Sequence, residues 1–391
     1  MTVRVLTLST LFPDMTRPNF GVFVERQCRE LAHRDGVELT VIAPVGLAPW
    51  PLSRHPHYAP LTALPASERW RDLTVYRPRF TVIPKLGGRF TIASMTRAIW
   101  PLVKRLHENT PFDVIDASFF YPDGPVAQTL AKRLGIPYSV KARGADIHYW
   151  GRLPATRKAV LQAGRDAAGL LAVSEAMKRS MIALGMDGEK IRVHYTGVDL
   201  DRFAPQDRAA AKARYHLEGP VVLCVGNLIT RKGQDLLIRA LSHLPGVTLL
   251  LAGHGPDRPA YEKLATELGV AERVGFLGAV PHEDLPAIYN AADVMALPSA
   301  SEGLANAWVE ALACGTPIAI SDVGGARELL TDPQAGRIVE RTPDALAEAL
   351  HEMLTQTPNR VATRKAALRF TWSTNGNGLF AHLAGIAESA T

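Results

Sequence analysis

Two carboxylates, a glycine and a helix stop share one stretch, Ser299 to Pro317. Gly315-Thr316-Pro317 ends a helix, since glycine suits the position just past a helix and proline cannot continue one. That helix is expected to start near Ala305, with Glu302 and Gly303 in the turn before it and Glu310 inside it. Unpaired N–H groups at a helix start attract anions, and a glycine beside them lets a phosphate approach the backbone. At 1.5 Å per residue Glu310 lies about 12 Å beyond Glu302, a span that suits a sugar nucleotide held at two ends. One glutamate would take sugar hydroxyls and the other the ribose. The amides of Gly303, Leu304, Ala305 and Asn306 would hold a diphosphate between them. Glutamates so spaced are more often a solvated cap and a solvated face, so spacing alone does not decide the matter.

Other residues offer complementary chemistry. Arg231 and Lys232 follow the apolar run Val221–Val225 and Gly226, just before a helical stretch. A guanidinium and an ammonium there can neutralise a diphosphate, although adjacent basic residues in a loop are mostly just solvated. Gly253-His254-Gly255 also follows a strand, but it lacks the third glycine of a dinucleotide fingerprint, so a nicotinamide dehydrogenase ranks low. In the first half, Gly21 closes the loop Leu11 to Phe23 near a helix start, either as a phosphate approach point or as part of an ordinary strand-to-helix loop. Arg143 and Asp146 follow another strand, where Arg143 either holds a charged group or pairs with Asp146. Ser174 and Asp123 read as helix N-caps.

Together these residues resemble the GT4 family of retaining glycosyltransferases, whose members adopt the two-domain GT-B fold. Glu302 to Glu310 is similar to the family's Glu-x7-Glu element, and Ile318 to Glu328 continues the likeness. Arg231-Lys232-Gly233 resembles its Arg-Lys-Gly element, and Gly253 with Phe276-Leu277-Gly278 falls where members carry the same residues. The likeness runs from about residue 5 to residue 355, specific in the second half and loose in the first. It implies that Arg231 and Lys232 bind the donor diphosphate and assist its departure, that Glu302 and Glu310 take sugar and ribose, and that Val280 lies by the base. Gly21 and Gly226 would border the donor. Many members carry His-Gly-x-Asp where this chain has Arg143-Gly144-Ala145-Asp146, so the usual histidine role is in doubt.

The implied enzyme transfers a hexosyl group from a nucleotide-diphosphate sugar, with UDP preferred over GDP, to a glycan, lipid-linked or small-molecule acceptor. No cofactor and no metal are expected. Two alternatives stay open: a sugar-nucleotide epimerase on the same fold, and a sugar-nucleotide-binding protein without catalysis, which Arg143 motivates.

The elements that must position these residues follow from the apolar pattern. Short β-rich runs (Val3–Leu8, Leu39–Ala43, Val114–Ala117, Ser139–Ala142 and Leu170–Val173, then Val221–Val225, Thr248–Ala252, Val274–Leu277, Val294–Leu297 and Ile318–Ser321) alternate with helical stretches. Such alternation predicts βαβ units and an α/β fold of two Rossmann-like, doubly wound parallel-sheet domains. The polar stretch Asp199 to Asp207 reads as the linker. The expected division is 1–198 on the acceptor side, 199–370 for the donor, and 371–391 crossing back to the first domain, with the two ligand crevices facing each other. Pro44 to Asp72 reads as one irregular loop.

Composition sets the outer bounds. At 391 residues, 47% hydrophobic and 21% charged, the chain fits two soluble domains, with no apolar run long enough to span a bilayer. Cys28, Cys224 and Cys314 are scattered and fit buried thiols in a reducing cytoplasm. Residues 1–200 hold 27 Lys+Arg against 17 Asp+Glu, leaving 17 against 21 in the rest, so the +6 total splits into +10 and −4. A basic first half suits an anionic acceptor or peripheral contact with an anionic membrane, whereas no motif points to nucleic acid. Lys85 to Leu106, with Arg89, Arg97, Lys104 and Arg105 among apolar residues, reads either as a core-facing helix with a charged outer side or as a basic amphipathic helix on lipid.

Overall fold

The computed structural model describes residues 2–83, 89–356 and 358–390. Contacts divide the chain into two units, residues 1–197 with 372–391, and residues 198–371.

The first unit carries strands β1 (Val3–Leu8), β2 (Val37–Ile42), β3 (Val45–Leu47), β4 (Ser67–Trp70), β5 (Leu73–Tyr76), β6 (Arg79–Thr81), β7 (Val114–Ala117), β8 (Tyr138–Ala142), β9 (Gly169–Ala172) and β10 (Ile191–Val193). Eight form one sheet in the order β10-β9-β8-β7-β1-β2-β5-β4, parallel except for the β4–β5 pair. β3 and β6 make a separate parallel pair. Helix Trp372–Glu388 belongs to this unit: Leu379, Leu383 and Ala387 join Val3, Val5, Leu31, Val114 and Leu171 in its core.

The second unit carries β11 (Val221–Val225), β12 (Thr248–Ala252), β13 (Val274–Gly278), β14 (Val294–Leu297), β15 (Ile318–Ile320) and β16 (Gly336–Ile338), all parallel, in the order β13-β12-β11-β14-β15-β16. β14 and β15 are buried throughout and consist of Val, Met, Ala, Leu and Ile, as strands covered on both faces must be. In each sheet the first strand of the unit lies between neighbours that depart in opposite directions, β2 and β7 around β1, and β12 and β14 around β11. The carboxyl edge at such a reversal is where open α/β sheets bind ligands. In the second unit that edge carries the loops after Val225 and Leu297; in the first, the loops after Leu8 and Ala117.

Several expectations are corrected. Pro44 to Asp72 is not one loop: it holds β3, a 3-10 turn at Leu52–Arg54, a short helix at Ala59–Thr62 and β4. The division between the units falls at 197/198, at the start of the stretch Asp199 to Asp207, which packs within the second unit. Phe203 is buried with its ring 5.3 Å from His282, and Arg364 donates to the carbonyls of Phe203 and Leu200 at 2.7 Å each. Helix Arg89–Asn109 turns Met95, Ile99 and Val103 into the core, leaving Arg97, Lys104 and Arg105 outside, which favours the core-facing reading; Lys85 lies outside the described residues. Among the described residues no helix is long and apolar enough to cross a membrane. All three cysteines are free and buried.

Candidate active site

In the second unit, the loop after β11 and the loop after β14 are laced together. Gly233, at φ 75°, hands the chain from a 3-10 turn at Thr230–Lys232 into helix Gln234–Ala240. The Ala300 N–H donates to the Arg231 carbonyl at 2.8 Å, and the Arg231 guanidinium donates to the Ser301 carbonyl. Lys232 Nζ then meets Glu302 Oε1 at 2.5 Å, with Arg231 3.7 Å from the same oxygen. The Lys232 and Glu302 side chains are only 14% and 11% exposed, so the pair is poorly screened by water. The three charged residues singled out in sequence converge at one point.

Helix Asn306–Ala313 begins four residues after Glu302, with Ala305 at its N-cap and no side chain capping it. Its first N–H groups therefore lack intrahelical partners, beside Gly303 and the buried Leu304. Gly315, at φ 71°, follows the helix end.

Glu310 is held from two sides: Tyr289 donates to Oε2 at 3.1 Å, and His282 Nε2 lies 2.9 Å from Oε1. Burial and the neighbouring carboxylate push the Tyr289 hydroxyl well above its ordinary range, so it remains a donor. Val280 precedes this His282 contact by two residues. Tyr289 was not found from sequence; its signal was a tyrosine on an otherwise apolar helix face. Gly253 is obligatory for another reason. A Cβ there would lie 2.0 Å from the Gly226 carbonyl oxygen, so the loops after β11 and β12 touch backbone to backbone.

The first unit's carboxyl edge is built around buried carboxylates. Gly21 has φ 71°, and a Cβ on it would lie 2.5 Å from the Leu11 carbonyl, so only glycine lets the loop after β1 fold against the start of helix Val22–Ala32. Asp123 is no N-cap: it lies inside its helix, fully buried, and accepts the Thr10 N–H at 3.0 Å, tethering that same loop. Ser174 does cap its helix, accepting from the Met177 N–H at 3.0 Å.

Asp146 is also fully buried, and its carboxylate accepts the backbone N–H groups of Gly144 (2.7 Å), Arg143 (3.1 Å), Phe120 (3.2 Å) and Ile147 (3.2 Å). Asp146, placed with Arg143 among the candidate catalytic residues on the family resemblance, thus spends its carboxylate oxygens on the amides of its own loop and so shapes that loop. It does not pair with the Arg143 guanidinium, which donates instead through Nε to the Ser118 carbonyl at 2.7 Å and through Nη2 to Gln27 Oε1 at 3.3 Å, 4.8 Å above the Phe23 ring. Burial lowers the Arg143 pKa to about 10, which still leaves it charged at neutral pH.

Comparison with known proteins agrees with this architecture. A family model described as Glycosyl transferases group 1 matches residues 206–370, and one described as Glycosyltransferase Family 4 matches residues 21–202. The GDP-mannose-dependent alpha-(1-6)-phosphatidylinositol monomannoside mannosyltransferase of Mycolicibacterium smegmatis is 36% identical, over 82% of this chain and 92% of its own length. The D-inositol 3-phosphate glycosyltransferase of the same organism is 30% identical over 97% of this chain and 90% of its own. Among solved structures, sucrose-phosphate synthase from Thermosynechococcus elongatus superposes with a TM-score of 0.83 at 21% identity, covering 99% of this chain and all of that one. The fold is GT-B. The donor in the first relative's name is a GDP-sugar, so the preference for UDP drawn from the sequence is not supported.

Proposed function

The chain belongs to glycosyltransferase family 4, and on that premise we propose that it moves a mannosyl group from GDP-mannose to an acceptor carrying an inositol phosphate, with retention at the anomeric carbon. That it is a glycosyltransferase using a nucleotide sugar follows from the family and its relatives. The sugar, the base and the acceptor are the finer reading. Both named relatives act on inositol-phosphate compounds, and the +10 charge of residues 1–200 suits an anionic acceptor bound by the first unit.

The observation that carries the donor reading is the meeting of Lys232, Arg231 and Glu302 beside the uncapped start of helix Asn306–Ala313. As the bond from C1 to the β-phosphate oxygen breaks, its electron pair stays on that oxygen. The acceptor oxygen forms the new bond to C1, and its proton leaves to the departing phosphate. In this reading Arg231, Lys232 and the helix amides stabilise the charge on the leaving diphosphate, the work a divalent cation does elsewhere. Glu302 then takes sugar hydroxyls, and Glu310, oriented by Tyr289 and His282, takes the ribose. Transfer is expected to proceed without added metal, and undiminished turnover in excess EDTA is the check on that.

The test is incubation with GDP-mannose and inositol 1-phosphate or phosphatidylinositol, with the product's anomeric configuration read by NMR. An α-mannoside is expected, whereas an inverted product or turnover with UDP-sugars alone would refute the proposal. Thermal melting should separate the nucleotides first, GDP raising the transition more than UDP at equal concentration.

A further inference from the structure

Helix Val22–Ala32 turns Gln27 inward, where it is 1% exposed, and nothing apolar about the surroundings calls for an amide there. Its oxygen accepts from two basic side chains, Lys141 Nζ at 3.0 Å and Arg143 Nη2 at 3.3 Å. Its Nε2 is buried with no hydrogen-bond partner among the described residues. The amide is therefore kept for what its oxygen holds, because an apolar side chain of similar size would leave the Lys141 and Arg143 donors short of an acceptor. Lys141 is as unexpected as Gln27: it sits inside β8, 1% exposed, in a strand buried along its length.

From Lys141 the chain of contacts runs on. Its Nζ lies 2.7 Å from His194 Nδ1, and His194 Nε2 lies 2.7 Å from the Asn375 carbonyl. A carbonyl only accepts, so Nε2 carries the proton and Nδ1 accepts from Lys141, fixing one tautomer. Burial, with Lys141 beside it, holds His194 well below its ordinary pKa, in agreement with a neutral ring. Lys141 is thus pinned between His194 and Gln27, and Gln27 in turn is pinned by Lys141.

We infer that Gln27 is a positioning residue for Arg143: with the Ser118 carbonyl it fixes the guanidinium at the edge of the first sheet in the one orientation that serves transfer. Two of the guanidinium's three nitrogens are committed, Nε to Ser118 and Nη2 to Gln27, and its face rests on Phe23. Among the described residues Nη1 has no hydrogen-bond partner, and Arg143 is half-buried, so this nitrogen is the one offered to a substrate. A fork held at two corners presents the third without losing side-chain entropy on binding. The inference rests on the proposed function, in which the first unit receives the acceptor.

The experiment is a double-mutant cycle on kcat for mannosyl transfer, with GDP affinity measured in parallel. Arg143→Ala is expected to lower kcat about 100-fold. Gln27→Leu should lower it roughly tenfold and leave GDP affinity unchanged, because the amide acts only through orientation. In the Arg143→Ala background, Gln27→Leu should cost nothing further. Gln27→Glu, which keeps the acceptor oxygen, should retain most of the rate. Should Gln27→Leu fail to fold, Gln27→Asn draws the oxygen back by one methylene and carries the same test. Equal losses from Gln27→Leu with and without Arg143 would overturn the inference while sparing the proposed function. An Arg143→Ala variant at wild-type rate would overturn both Arg143's role and the inference.

Discussion

Lys232 donates to Glu302 Oε1 at 2.5 Å, with both side chains largely removed from water. The carboxylate thus occupies the ammonium that the proposed function assigns to a diphosphate. On the proposed function, an incoming phosphate would compete with Glu302 for the same charge, and the exchange would release Glu302 toward sugar hydroxyls.

This exchange separates binding from turnover. Glu302→Gln removes the competing charge, so GDP alone should bind several-fold tighter. Transfer should nevertheless fall, because the sugar loses its acceptor for hydroxyl hydrogen bonds. Lys232→Ala should weaken GDP binding and lower kcat/KM by about 100-fold. Calorimetry with GDP and initial rates with GDP-mannose measure both. Weaker GDP binding in Glu302→Gln would show that the carboxylate supports the nucleotide and does not compete with it.

A different pattern is expected at the other end of the helix. Tyr289 and His282 hold Glu310 from opposite sides, so they orient a group that binds the ground state and the transition state alike. Tyr289→Phe should raise KM for the donor by about tenfold at most, the worth of one hydrogen bond, with kcat little changed. Glu310→Gln should raise it further. A fall in kcat at constant KM would place Glu310 in the chemistry instead.

How much of this was legible beforehand depends on whether local sequence decides it. Helix Asn306–Ala313 begins within one residue of its expected start and ends at Ala313, with Cys314 as its C-cap, because Gly-Thr-Pro is a strong local stop. The strands β11 and β14 were legible because buried parallel strands are unbroken apolar runs, and β1, β7 and β12 because their runs are apolar apart from one or two polar residues. The edge strands β4 and β16 were not: Ser67–Trp70 alternates in exposure and carries charge, and Gly336–Ile338 is three residues long, so neither has an apolar run. At the site, motif residues could be named from their loops. Their partners could not: Tyr289 lies 21 positions from Glu310, and Gln27 lies 116 from Arg143. Such pairs exist only once the sheets have ordered their loops. The one available hint was polarity in the wrong place, Lys141 within a buried strand and Gln27 on an apolar helix face.

Backbone contact supplies a stability prediction. Gly253→Ala places a methyl 2.0 Å from the Gly226 oxygen, a clash with backbone that no rotamer relieves, at a φ of 153°. It should cost several kcal/mol, about 3 or more, and lower the melting point of the second unit steeply. Gly226→Ala meets only side-chain atoms, the nearest being Lys232 Cε at 3.7 Å, so it should fold with a smaller loss, about 1–2 kcal/mol from its φ of 155° alone. Differential scanning calorimetry of the two variants checks the order, and similar losses would mean that conformation, rather than contact, sets the cost.

Asp123 makes the stability depend on pH in a direction opposite to that of most carboxylates. Burial pushes its pKa up to about 7, with the Asp146 carboxylate adding to the shift, while the Thr10 N–H and the Arg143 guanidinium pull the other way. In the unfolded chain it titrates near 4. A folded value above the unfolded one means that the native state holds the proton more tightly. Its contribution is therefore complete below about pH 4 and is lost as pH rises through 7. Asp123→Asn keeps an oxygen for Thr10 and cannot ionise. The variant should match the wild type near pH 4 and melt higher at pH 8, by about 2–4 °C for each kcal/mol recovered. Melting curves at half-unit intervals from pH 4 to pH 8 trace the difference directly. Two parallel curves across that range would mean that the Asp123 carboxylate is ionised at no cost, and that the Thr10 loop is tethered by a charge rather than by a neutral acid.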